Sequence, residues 1–166
     1  ALRGEEAEST LVRYPSYLES RFMAYNAITH GARGILYWGL SYVPKDCPFI
    51  QDLSKVLNEI REMTPVILGK EMTRKPALRY YERGSSIAAG VEILGRKTGK
   101  GVYLIASNTG MDPAAVDFME LPPELAGAGY LNVLGENRSV PITDGKFYDE
   151  FEGYGVHVYE YLLESK

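Results

Sequence analysis

Three carboxylates stand close together near the start of the sequence, Glu5, Glu6 and Glu8. Carboxylates in pairs are what hydrolysis of a glycosidic bond requires, and the two must flank one bond on rigid supports, at about 5 Å for retention or about 6.5–9.5 Å for inversion. Neighbouring glutamates in a polar stretch point apart, so these three read as a solvated loop. Cys47 is the one cysteine, which excludes an internal disulfide, and with only His30 and His157 for company it cannot anchor a zinc site. Nothing near Cys47 supplies a base or lowers its pKa, so it reads as a loop or half-buried thiol rather than a nucleophile. His157 lies between Val156 and Val158 and reads as a packed or edge imidazole. The Gly-Arg-Lys-Thr-Gly-Lys-Gly stretch at 95–101 has three residues between its first two glycines and no hydroxyl after Lys100, so it is a turn and not a phosphate loop. Trp38 is the only tryptophan, and at the end of an apolar run it can be either a packing residue covered by the next loop or an exposed ring.

The elements that position these residues fall into two halves. Ser16 can cap a helix whose third residue, Glu19, reaches back to it, with Pro15 discouraging an earlier start. Leu18, Phe22, Tyr25 and Ile28 recur at helical spacing, and Met23, Ala24 and Ala27 widen the apolar face until most of the circumference calls for cover. His30 closes the last turn and Gly31 takes the left-handed cap. The Gly-Ile-Leu-Tyr-Trp run at 34–38 then reads as a buried parallel strand. After a Pro- and Gly-rich loop, Asp46 or Cys47 caps a second amphipathic helix through Phe49, Leu53, Val56, Leu57, Ile60 and Met63, which Thr64 and Pro65 end or kink. Residues 66–76 read as a connector. Beyond it, Ile87, Ala89, Val91 and Ile93 alternate, as do Val102, Leu104 and Ala106, with the glycine-rich 95–101 stretch as the hairpin turn. Further strands are predicted at 115–121, 130–134, 138–142, 147–151 and 156–162, parted by turn signals such as Pro122-Pro123 and Asp144-Gly145. About seven or eight short strands at spacings near ten are the mark of an antiparallel sandwich.

Composition is globular, with 45% hydrophobic and 24% charged residues. A net charge of −4 with no basic stripe argues against nucleic acid or an anionic membrane as partner, and no apolar run approaches the roughly 20 residues that span a bilayer. The sequence begins at Ala1 without methionine and without a signal peptide's order of basic then apolar residues, as a processed or excised piece of a longer protein would. No feature fixes the compartment.

The His-Gly-Ala-Arg-Gly-Ile end of the first helix, followed by Leu-Tyr-Trp-Gly, resembles the closing segment of certain (β/α)8-barrel glycoside hydrolases. The stretch from Gly145 to Tyr159 is similar to the final strands of the β-sandwich that follows such barrels. The resemblance implies an α+β chain: an N-terminal helix-strand-helix that ends a TIM-type barrel (residues 1–75), followed by an antiparallel β-sandwich accessory domain (residues 76–166). Residues 34–38 would be the eighth barrel strand, and Trp38 would form part of the sugar-binding floor. The reaction would be glycosidic-bond hydrolysis by two carboxylates, with no metal or organic cofactor. Those carboxylates would lie on the fourth and seventh strands, upstream of Ala1, so the resemblance implies a carbohydrate substrate, the remainder of a catalytic barrel as partner, and no catalytic residue within these 166. Two rivals stay open. A carbohydrate-binding module would set aromatics coplanar on one exposed sheet face, whereas a structural sandwich would turn them inward and leave no groove.

Overall fold

The computed structural model describes residues 13–82, 84 and 90–163. Glu5, Glu6 and Glu8, and the Ile87 and Ala89 part of the predicted hairpin, lie outside the described residues.

Helix α1 (Tyr17–Thr29) starts as its sequence dictates. The Ser16 hydroxyl accepts from the Glu19 amide at 3.2 Å while the Glu19 carboxylate accepts from the Ser16 amide at 2.8 Å, so two of the unpaired donors of the first turn are satisfied. At the other end Gly31 has φ +96°, its amide reaches Ile28 O at 2.9 Å, and the Ala32 amide reaches Ala27 O at 3.0 Å. These two bonds close a Schellman motif. Helix α2 (Pro48–Ile67) has Pro48 in its first turn and Cys47 at the N-cap with no side-chain hydrogen bond. Contrary to expectation, it continues through Pro65, because so near the end the ring removes a single ladder bond.

Nine strands follow: β1 (Lys70–Glu71), β2 (Ala77–Glu82), β3 (Val91–Lys97), β4 (Gly101–Asn108), β5 (Ala114–Met119), β6 (Tyr130–Val133), β7 (Arg138–Pro141), β8 (Phe147–Phe151) and β9 (Val156–Leu162). They form a six-stranded sheet, β1-β3-β4-β9-β6-β7, and a three-stranded sheet, β2-β5-β8, with antiparallel pairing throughout. The sequence predicts β8 and β9 at their observed bounds. It misses β1, which pairs with Lys97 and Arg96 from within the predicted connector, and β2, whose Ala-Leu-Arg-Tyr-Tyr-Glu has no clean alternation. The β3–β4 turn is also shorter than predicted. Gly95 lies inside β3, where a Cβ would fall 2.5 Å from the Met72 sulfur, so this glycine serves close packing rather than chain reversal.

Every residue of β4 is buried, which an ordinary two-layer sandwich does not require. The reason is a third layer. Val102, Leu104 and Ala106 face the three-stranded sheet and pack with Val116, Phe118, Phe147, Phe151 and Tyr159, whereas Tyr103 and Ile105 face the helices and pack with Tyr25, Ile28, Met63 and Ile67. Of the positions predicted to point inward, Phe147 and Phe151 fill the space between the sheets, and Val156 and Val158 fill the helix side. α1 lies across β3, β4 and β9, and α2 packs on α1 and β3.

Candidate functional site

The segment that carries Trp38 leaves α1 at its Schellman turn and enters a single 3-10 turn at Leu40–Tyr42, set by Gly39 at φ +81°. Residues 34–38 form no strand among the described residues, which corrects the expectation of a buried one. A parallel strand exists only by hydrogen bonding to neighbours, and none lies beside this segment. Its side chains nonetheless alternate. Ile35 and Tyr37 are half-buried, Ile35 against the cluster of Tyr25, Ile28, Met63 and Ile67, and burial pushes the Tyr37 hydroxyl pKa up. Leu36 and Trp38 point the other way and are 90% and 91% exposed, with Tyr42 at 85%. The loop after Trp38 therefore does not cover its ring. α1 shows the same incompleteness: Ala24, Tyr25 and Ile28 are buried, but Leu18 and Met23 of its wide apolar face stay exposed.

A second cluster, which the sequence does not announce, joins the two sheets. Arg138 on β7 grips Asp149 on β8 with two bonds of 2.9 Å, and the Tyr159 hydroxyl on β9 donates to the same carboxylate at 2.7 Å. Arg138 also donates to Glu136 at 2.7 Å, and Glu136 in turn contacts His157, whose other ring nitrogen lies 3.1 Å from Glu150 O. The hydrogen bonds that Arg138 donates to Asp149 and Glu136 raise the guanidinium pKa against the cost of burial, and complete burial pushes the Tyr159 hydroxyl well above its ordinary value. Asp149 has its lone pairs occupied by protein donors, so it is a structural knot and not a free base. His157 packs against Phe151 with ring centroids 4.5 Å apart, as a packed imidazole does.

The outer face of the three-stranded sheet carries Tyr81 and Tyr148, ring centroids 5.9 Å apart and inclined at 66°, so this pair is edge-on rather than coplanar. The Tyr81 hydroxyl donates to Asp117 at 2.7 Å and, with Lys146 and Arg79 nearby, holds that carboxyl below the usual range. Cys47 is half-buried and unpaired. Among the described residues no group of three or more His, Cys, Asp or Glu is arranged to hold a metal ion, and no helix is long and apolar enough to cross a membrane.

No protein-family model matches this sequence, and no curated protein does. Solved structures do. The α-amylase from Geobacillus thermoleovorans, crystallised with acarbose, superposes with a TM-score of 0.60 at 14% identity over 90% of this chain and 34% of that one. AmyP in complex with maltose gives 0.47 at 12% identity over 68% and 20% of the two chains. A GH42 β-galactosidase from G. stearothermophilus gives 0.36 at 11% over 69% and 13%. The chain thus spans between 13% and 34% of the length of these proteins. It has the fold of part of a glycoside hydrolase, helices followed by an antiparallel β-sandwich, as the resemblance of its two ends implies.

Proposed function

We propose that this chain is the C-terminal portion of a glycoside hydrolase: the last β/α unit of a catalytic barrel and the sandwich that buttresses it. The observation that carries the reading is the alternation at 34–38. In a barrel each parallel strand turns one set of side chains to the surrounding helices and the other to the interior, with substrate at the strand's C-terminal end. Ile35 packs on the helix-side core and Tyr37 is half-buried, while Leu36 and Trp38 are bare, with Trp38 at the end of the run. Seven further strands, supplied by chain upstream of residue 1, would complete the barrel, two of them pairing with this one, and close over Leu36. Trp38 then offers its ring to a sugar, and the acid and the nucleophile or base come from those other strands. Acarbose in the Geobacillus enzyme supports a carbohydrate as the substrate class.

The test is Trp38→Ala in the full-length protein, read by melting temperature and by oligosaccharide binding. A platform residue loses sugar affinity with stability changed by no more than about 0.5 kcal/mol, whereas a core tryptophan costs roughly 3–5 kcal/mol. A large fall in stability with binding per folded molecule unchanged would assign Trp38 to the core and end this reading of it.

A further inference from the structure

The turn at 152–155 joins β8 to β9, with the Gly155 amide donating to Glu152 O at 2.8 Å. Its third residue, Tyr154, has φ +58°, a conformation that glycine adopts freely and a bulky side chain resists. Glycine stands on either side, but the strained position holds an aromatic ring. Gly153 has no room for any side chain, since a Cβ would lie 1.9 Å from Met111 O, and the Tyr154 amide is tied to Gly110 O at 2.9 Å. The backbone is therefore over-determined, and strain of this kind points to a use for the side chain that imposes it.

The Tyr154 ring packs against Phe22 of α1 with centroids 4.7 Å apart. It also lines a cleft of about 390 Å³, together with Tyr148, Glu82, Glu150, Arg21 and His157. That volume lies in the range of small-molecule sites. The cationic groups are already engaged, Arg21 with Glu59 and Val156 O, His157 with Glu136 and Glu150 O. Among the described residues Glu82 and Glu150 enter no ion pair, and Tyr148, 44% exposed, donates to Glu150 at 2.6 Å. What remains in the cleft is aromatic surface and hydrogen-bond acceptors. A ligand rich in hydroxyl donors with C–H faces satisfies both.

We infer that this cleft binds a neutral oligosaccharide, with Tyr154 and Tyr148 stacking on sugar rings and the Glu82 and Glu150 carboxylates accepting from hydroxyls. The class of ligand rests on the glycoside hydrolase reading; the site does not use Trp38. The experiment is calorimetric titration of maltoheptaose and of cellohexaose into the full-length protein carrying Trp38→Ala, alone and with Tyr154→Gly or Tyr148→Ala added. Tyr154→Gly relieves the strained turn and Tyr148→Ala touches an exposed position, so the two variants reach the cleft by independent routes. The expected result is binding of one of these sugars by the Trp38→Ala protein, weakened about tenfold by either added change. Unchanged affinity in either variant, or no binding at all, overturns the inference. Turnover of aryl glycosides by the parent protein separates the two readings: with turnover and no cleft binding the cleft alone fails, and with neither, both fail.

Discussion

Asp149 shows what a buried carboxylate needs in this fold. It accepts from two Arg138 nitrogens, from Tyr159 and from the Glu150 amide, and these donors come from strands of both sheets. Removing the arginine leaves a charge without its partner where little water reaches. Arg138→Met should therefore destabilise the protein by about 2–3 kcal/mol, below the roughly 3–5 kcal/mol of a fully buried pair because the Arg138 side chain is 35% exposed. Urea unfolding of the two proteins measures the difference, and a loss under about 0.5 kcal/mol would show that water already satisfies Asp149. None of this network is legible in the sequence, since Arg138, Asp149 and Tyr159 lie on three strands whose register decides whether they meet. Trp38 is the opposite case. Its place after an apolar run and before a glycine marks it directly, and the structure leaves its ring bare.

Among the elements, α1 is specified locally at both ends. Arg13 adds to its capping box by donating to Glu19 at 2.7 Å, and this bond, ahead of the Ser16 amide, holds the Glu19 carboxyl at about 2. A folded pKa below the unfolded one means that this contribution is complete above the unfolded value of about 4.3 and is lost as pH falls through about 2. In Arg13→Ala the Glu19 midpoint, followed by carboxyl-carbon NMR, should move up toward the ordinary value. A midpoint that stays near 2 would credit the cap alone. β9 is specified by its neighbours instead, lying between β4 and β6 and sending Tyr159 to one core and Val158 to the other. Truncation after Gly145 removes β8 and β9 and should abolish cooperative unfolding of the sandwich. A truncated chain that melted like its parent would make those strands dispensable.

At the scale of the molecule, three layers share two cores, helices over the six-stranded sheet and that sheet over the three-stranded one. Leu36, Trp38, Met23 and Leu18 are among the exposed large apolar side chains, and on the proposed reading a barrel wall would use or cover them. On the proposed reading one β/α unit cannot place two carboxylates across a scissile bond. The 166-residue chain should therefore turn over none of a panel of aryl glycosides. Turnover that survives repurification and disappears on changing Glu5 or Glu6 would return those glutamates to the active site.

The sequence alone determined the features that depend on near neighbours: the Ser16 and Glu19 cap, the Gly31 end of α1, the start of α2 at Pro48, and the Asp144-Gly145 reversal, where both residues take positive φ and Thr143 and Lys146 pair across the turn. Each needs only residues a few positions apart. The tertiary structure decided what depends on distant partners. It moved Gly95 from a turn into a strand because Met72 fills the space beside it, and it put Val158 and Tyr159 into different cores because helices cover the far side of the sheet. It left residues 34–38 unpaired for the same reason, since a strand is a property of two chains side by side and no described strand lies beside this segment.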